Sequence, residues 1–507
     1  MVAICVVEVS RRSFLRTITL GSAALTVDAR SSTQSRFSGK PNLLVFLPDE
    51  VRADLIIGAA ANSVHAPNLQ RLASQSVVFE RAYVTHPICS PSRSSLLSGT
   101  WPHQTGCTSN KGVLPLKVHC LPEMLTDSAY RTGYFGKWHL GDEFLAQHGF
   151  QEWVSIEDTF KSAHHGHKKG GQSDYTKFLL SEGYTPDLHS GKSFSLSFPS
   201  TLPFELSKPK FLEAKACEFL ERHRGEPFIL FVAFFEPHPP YNGPFNREHP
   251  LDAISLDATV DKNFGDEMPL RCRLRQEFYR RQYPIIADYR QIKQRYLGLI
   301  TEIDRSIGGI LAKVDDLGLP DRTITVLTSD HGDMMSAHGL LGKQLMFEQS
   351  ATVPYLVRMP GASPRRCSQP VSHIDFVPTM LDLLGKPAHA QCAGQSRAAL
   401  IHGETRSPDL VFLQWSPTKI DLAVKQSILA SKQQIENCLA ESSRAIVTPD
   451  GWKLCLRDRD KNELYNLRDD PDEETNLYYL NSHRDVIAEL TKQIRQWQER
   501  VRDGVRV

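Results

Sequence analysis

The chain has 507 residues, 40% of them hydrophobic and 23% charged, with a net charge of +1. That is enough for one large domain plus a smaller one, with the composition of a globular protein. The near-neutral balance gives no electrostatic case for a nucleic-acid partner or a membrane surface, and no apolar run is long enough to span a bilayer.

The first residues form their own unit. Ser10-Arg11-Arg12-Ser13-Phe14-Leu15-Arg16 precedes a mildly apolar run from Thr17 to Val27 and the small-residue stretch Val27-Asp28-Ala29. This pattern predicts a twin-arginine signal peptide over residues 1–29, read by the twin-arginine export machinery and delivering the protein to a bacterial periplasm. Residues 30–40 are polar and Ser-rich and read as a linker. Of the ten cysteines, Cys5 falls in the signal. None of the others has C-x-x-C or zinc-finger spacing, and their pairing is left open.

From Pro41 the chain alternates buried strands with helices, which predicts an α/β fold. Asn42 to Leu47 is a continuous apolar run, a strand buried on both faces, and it stops at Asp49-Glu50. Adjacent carboxylates at a strand's carboxyl end suggest a hard metal ion between them. Cys89-Ser90-Pro91-Ser92-Arg93 follows. Ser90 reads as a helix N-cap, Pro91 as the first helical residue and Gly99 as the terminator. Cys89 then stands before a helix N-terminus with Arg93 able to fold back on it, which makes either an activated thiol or an anion site.

Gly136-Lys137-Trp138-His139-Leu140-Gly141 puts a cation and an imidazole two residues apart, on one side of an extended segment. Phe228 to Phe235 is a second buried strand, ending at Glu236-Pro237-His238. Thr323 to Thr328 is a third, ending at Asp330-His331-Gly332-Asp333, and Lys343 follows in Gly339-Leu340-Leu341-Gly342-Lys343. Phe211–Arg222 and Tyr296–Val314 carry apolar residues at helical spacing. Residues 151–209, with the run His164-His165-Gly166-His167, and residues 242–284 read as irregular loops bordering a cleft. His103, His338 and Asp333 read as supporting residues.

Several of these motifs resemble the sulfatase family: Cys89-x-Pro91-Ser92-Arg93 with Ser98-Gly99 beyond it, the Gly-Lys-Trp-His-Leu-Gly run, the strand ending in Asp49-Glu50, and Asp330-His331. The Glu463-Leu464-Tyr465-Asn466-Leu467 and Asp470-Pro471 run resembles that family's C-terminal subdomain. The resemblance implies an alkaline phosphatase-like large mixed sheet flanked by helices over residues 41–387. A smaller antiparallel sheet plus helix would follow over 388–507.

It implies hydrolysis of a sulfate ester, on a sulfated small molecule or glycan, by a formylglycine (3-oxoalanine) that a formylglycine-generating enzyme makes from Cys89. One divalent ion, Ca2+ by its oxygen ligands, would be held by Asp49, Glu50, Asp330 and His331. Arg93, Lys137, His139, His238 and Lys343 would complete the catalytic set. Two rival readings stand beside it: a phosphonate or phosphate monoester hydrolase on the same scaffold, and a non-catalytic exported binding protein that keeps Cys89 as a thiol.

Overall fold

Strands buried at every residue have to be covered on both faces, and three of them build the centre of this molecule. A computed structural model describes residues 39–158, 171–188, 191–417 and 426–507. The signal segment and the His164–His167 run lie outside the described residues. The strands in chain order are β1 (Asn42–Phe46), β2 (Val77–Phe79), β3 (Ala82–Tyr83), β4 (Arg131–Gly136), β5 (Glu152–Val154), β6 (Phe228–Ala233) and β7 (Thr323–Thr328). They continue with β8 (Tyr355–Arg358), β9 (Arg365–Cys367), β10 (Val371–Ser372), β11 (Val411–Trp415), β12 (Ser443–Val447), β13 (Trp452–Arg457) and β14 (Glu463–Asn466).

Eight of them form one mixed sheet in the order β5-β4-β6-β1-β7-β8-β2-β9. β1 lies between β6 and β7, parallel to both, with Leu44 opposite Leu230 and Thr325. β8 runs antiparallel to β7 and to β2. Because side chains alternate across a strand, each strand feeds two cores. Leu44, Phe46, Leu230 and Val232 pack with Leu212 and Phe219 of the Lys208–Arg222 helix and with Ile300, Ile303 and Ile307 of the long Ile286–Asp316 helix. Leu43, Val45, Ile229 and Phe231 pack on the other face with Leu96, Leu97, Met380 and Leu381. Each such fully buried side chain contributes about 1.5–3 kcal/mol relative to exposure.

The C-terminal part is the antiparallel sheet β11-β12-β13-β14 closed by the helix Arg484–Val501. Trp497 of that helix stacks on Phe412 at 5.0 Å and meets Trp101 edge-on at 4.9 Å. His103 joins the two parts: Nδ1 lies 2.8 Å from Gln414 Oε1 and Nε2 lies 3.1 Å from the Val501 carbonyl. The buried Lys453 ammonium donates to Glu348 and lies 2.8 Å from Glu473. All nine described cysteines are free, and no helix of the described residues is long and apolar enough to cross a membrane.

Three expectations need correction. Residues 242–284 are not irregular throughout, since a helix spans Leu270–Gln282. The buried side of that helix is made of Arg271, Cys272, Leu274, Arg275 and Gln276, so it has no apolar stripe to betray it. The helix expected from Tyr296 starts at Ile286, and its first turns put Asp288, Gln291 and Arg295 on a cleft while Tyr289 packs into the core. The Cys89 helix begins at Cys89 itself, with Ile88 as its N-cap. The Ser90 hydroxyl does not cap it but donates to the His139 carbonyl at 2.6 Å.

β4 ends at Gly136, whose φ of +117° belongs to glycine, and a Cβ there would stand 1.9 Å from the Ala233 carbonyl oxygen of β6. Gly136→Ala is therefore expected to part the ends of β4 and β6 and displace Lys137. The expected cost is about 1–3 kcal/mol in urea unfolding, with a loss of activity larger than the stability loss explains.

Candidate active site

The edge formed by the carboxyl ends of β6, β1 and β7 collects the polar residues of the site, as open α/β sheets do. Ser329 ties two of these ends together: its hydroxyl donates to the Pro48 carbonyl and accepts from Val51 N, both at 2.9 Å. Glu50 N donates to Asp330 Oδ1 at 3.0 Å, and the Tyr296 hydroxyl donates to the Glu50 carbonyl at 2.6 Å. These bonds hold Glu50 at a φ of +69°, a left-handed conformation that costs a non-glycine residue about 1–3 kcal/mol.

Arg93 reaches this edge from the first turns of the Cys89–Ser98 helix. Its Nε donates to Asp330 Oδ2 at 2.8 Å, its Nη2 to Asp49 Oδ2 at 3.3 Å and its Nη1 to the Lys137 carbonyl at 2.7 Å. Both carboxylates thus give their Oδ2 atoms to the guanidinium. Their Oδ1 atoms lie 3.8 Å and 3.7 Å from His331 Nε2, and Cys89 Sγ lies 3.2 Å from the same nitrogen. The His331 Nδ1 sits 2.9 Å from the Gly332 carbonyl, which fixes the proton there and turns Nε2 inward. One ligand atom each from Asp49, Cys89, Asp330 and His331 falls within 4.8 Å of the others, and Asp49, Glu50 and His238 make an overlapping group.

Lys137 donates to Asp49 Oδ2 and lies 3.9 Å from Cys89 Sγ. Lys343 donates to Glu50 Oε2 at 2.8 Å, and Glu50 Oε1 is buried with no hydrogen-bond partner. Cys89 acts on both His139 and His238, favouring their protonated forms. All ten residues singled out in the sequence therefore meet at one place. Lys137 and His139 do so differently from expectation: β4 stops at Gly136, and both lie in the loop beyond it, with His139 at a φ of +58°.

The electrostatics follow from burial and mutual charge. Burial pushes the Cys89 thiol up, but Lys137, then Lys343 and His331, pull it well below its ordinary value. Burial, and Cys89 after it, raise Asp49, but Lys137, His238 and Lys343 together hold the carboxyl well below the usual range. Glu50 goes the other way, well above, through burial that Lys343 offsets only in part. Burial would lower His331, yet Asp330 and Cys89 beside it together hold it at about 9. His238 is pushed down to about 4 by burial, Lys343 and Lys137, and His139 is lowered by burial.

Supporting residues complete the picture. Asp333 Oδ1 accepts from Met335 N and Gly342 N at 2.7 Å and 2.8 Å, and its Oδ2 accepts from Tyr241, so it pins the loop that carries Lys343. His338 stacks on Phe347 at 4.5 Å within that loop. Three contributors escaped sequence reading. Glu143 accepts from the backbone of Trp138 and His139 at 3.1 Å and 2.6 Å, and burial lifts its carboxyl to about 7. Its only signal is its position four residues after His139. Arg275 and Tyr279 border the cleft from the Leu270–Gln282 helix, where the signal was their spacing of four.

The family model described as Sulfatase matches residues 41–386. The chain belongs to the sulfatase family. A relative, the N-acetylglucosamine-6-O-sulfatase of Bacteroides thetaiotaomicron, is 23% identical over 96% of this chain and 91% of its own length. Among solved structures, the phosphonate monoester hydrolase of Silicibacter pomeroyi matches with a TM-score of 0.76 at 21% identity, covering 92% of this chain and 96% of that one. A protein solved in complex with its substrate D-glucosamine-2-N,6-O-disulfate matches with a TM-score of 0.70 at 22% identity, covering 92% and 99%. These two carry the fold: a large mixed sheet flanked by helices with a small C-terminal antiparallel sheet.

As a sulfatase, the chain is a sulfuric ester hydrolase. The family works with a divalent metal and a cysteine-derived formylglycine, and the buried Asp49–Cys89–Asp330–His331 cluster is compatible with both. In this sulfatase Arg93→Met would leave two buried carboxylates without their shared cation. The expected loss is about 3–5 kcal/mol in urea unfolding with chelator present, and a smaller loss when a divalent cation is added.

Proposed function

We propose that this sulfatase removes sulfate from a sulfated carbohydrate, with residue 89 as the source of the nucleophile and a calcium ion beside it. The observation that carries the reading is the single buried cluster in which Cys89 meets two carboxylates, three cations and three imidazoles. The metal fits on the donors present. Asp49 and Asp330 turn one oxygen each inward, Glu50 Oε1 has no partner, and His331 Nε2 faces the same space. Oxygen donors of this number favour Ca2+. When bound, the ion supplies Lewis-acid polarisation of a sulfate oxygen and of a hydroxyl at residue 89. Formylglycine at residue 89 supplies, as its hydrate, two hydroxyls on one carbon.

The remaining work belongs to the chain's own groups. Arg93 holds Asp49 and Asp330 in the orientation that leaves their inner oxygens open. Lys137 and Lys343 bring positive charge to the sulfuryl oxygens, where charge accumulates in the transition state. His238 and Lys343, which both lie against Glu50 Oε2, are placed to protonate the departing alcohol oxygen. His139, neutral through burial, takes a proton from the second hydroxyl when sulfate is released.

A carbohydrate substrate is supported by the relative that acts on N-acetylglucosamine 6-sulfate groups and by the neighbour seen with a disulfated glucosamine. It is also supported by a cleft of about 950 Å³ over Glu50, His238 and Lys343. The Arg11-Arg12 segment supports export to the periplasm by the twin-arginine route, and the catalytic part is assigned to residues 41–387 with a C-terminal subdomain over 388–507. A second reading, phosphonate monoester hydrolysis, is favoured by the fold match to such an enzyme.

The deciding experiment uses protein co-produced with a formylglycine-generating enzyme and compares nitrophenyl sulfate with the matched phosphate and phosphonate esters. The sulfate is expected to be the best substrate, with activity lost on exhaustive chelation, restored by Ca2+ and absent when mass spectrometry finds a thiol at residue 89. Faster turnover of the phosphonate would replace the sulfatase reading by the second one. The leaving-group role has its own test. His238→Ala should slow a sugar sulfate by about 10²–10⁴-fold and nitrophenyl sulfate far less, because nitrophenolate departs without a proton.

A further inference from the structure

The cleft over the site has two helical walls that the reaction itself does not require. One is the Leu270–Gln282 helix, which turns Arg275, Phe278, Tyr279 and Gln282 toward the cleft. The other is the first part of the Ile286–Asp316 helix, which offers Asp288, Gln291, Ile292 and Arg295. Both sets follow the i, i+3, i+4, i+7 spacing of a single helix face. The first wall adjoins the chemistry. A point one carbon out from Gly342, the residue before Lys343, lies 3.5 Å from the Tyr279 hydroxyl, 3.8 Å from Glu50 Oε1 and 3.9 Å from Arg275 Nη2. Arg275 is built into this wall, donating to the Gln344 side chain and to Tyr279.

Arg295 is different. It is half-buried at the cleft surface and makes no ion pair among the described residues. The carboxylates that line the same cleft are Asp288 and Glu50. Asp288 lies seven residues earlier on the helix, about 10 Å along its axis, and Glu50 is already engaged by Lys343 at 2.8 Å. A guanidinium presented this way suits a carboxylate or sulfate, which it can meet with two parallel hydrogen bonds. Aromatic faces beside amide side chains suit a sugar ring with its hydroxyls.

We propose that these two helix faces form a subsite for an acidic sugar, in which Phe278 and Tyr279 take the ring and Arg295 binds a second anionic substituent, distinct from the sulfate that is cleaved. This rests on the sulfated-carbohydrate reading above. The scissile sulfate belongs to Lys343 and His238, which line the cleft beside Glu50, so a charge bound at Arg295 has to come from another position of the same saccharide.

Mature wild type, Arg295→Gln and Arg295→Lys are compared on nitrophenyl sulfate, a monosulfated N-acetylglucosamine, an N,O-disulfated glucosamine and a sulfated disaccharide containing a uronate. In the wild type KM is expected to be lower for a dianionic sugar than for the monosulfated one. Arg295→Gln should shrink that KM ratio by about tenfold, with kcat changed less than KM, and Arg295→Lys should restore part of it. Whether the disulfated sugar or the uronate shows the effect identifies the substituent as sulfate or carboxylate. An unchanged KM ratio in Arg295→Gln overturns the subsite, as does turnover of nitrophenyl sulfate with none of the sugars cleaved. Turnover of a phosphonate ester with no sulfate cleaved overturns the sulfatase reading itself, and the subsite with it.

Discussion

One buried arginine decides whether the rest of this site can exist. Asp49 and Asp330 end neighbouring parallel strands with no exposed surface, and two bare carboxylates there would repel and would be stripped of water. Arg93 answers both with one planar fork, and it is itself delivered by the helix that carries Cys89. The strand edge and the helix are thereby locked in register by charge, where packing alone would tolerate a slide. The same contact divides the labour of each carboxylate: outer oxygens to the guanidinium, inner oxygens toward His331 and Cys89.

The charges around that lock are mixed. Lys137 and Lys343 lower the Cys89 thiol, and of the two only Lys343 lines the cleft, while Asp330 and Cys89 raise His331. Left-handed backbone at Glu50 and His139, one on each side, stores strain that the hydrogen bonds from Asp330, Tyr296 and Glu143 keep in place.

Much of this could be read from the chain because the key residues follow abrupt changes of character. Leu47 to Asp49, Phe235 to His238 and Thr328 to Asp330 each pass from a buried strand to a polar side chain within three residues. What the sequence did not reveal was structure without an apolar signature. The Leu270–Gln282 helix buries arginines and a glutamine, so no periodicity marked it. Ser90 has the side chain of a cap but spends its hydroxyl on the His139 carbonyl, a partner 49 residues away that local reading cannot see. Lys137 and His139 reach Cys89 through a turn after β4, not through the period of a strand.

The burial of Cys89 also makes it a gauge of opening. Its side chain has no exposed surface, and it is roofed by His331, Lys137 and the strand ends that complete the sheet. A thiol with no exposed surface meets a bulky reagent only when the strands and loops around it open, so the rate at which residue 89 is labelled reports how often this edge of the sheet opens.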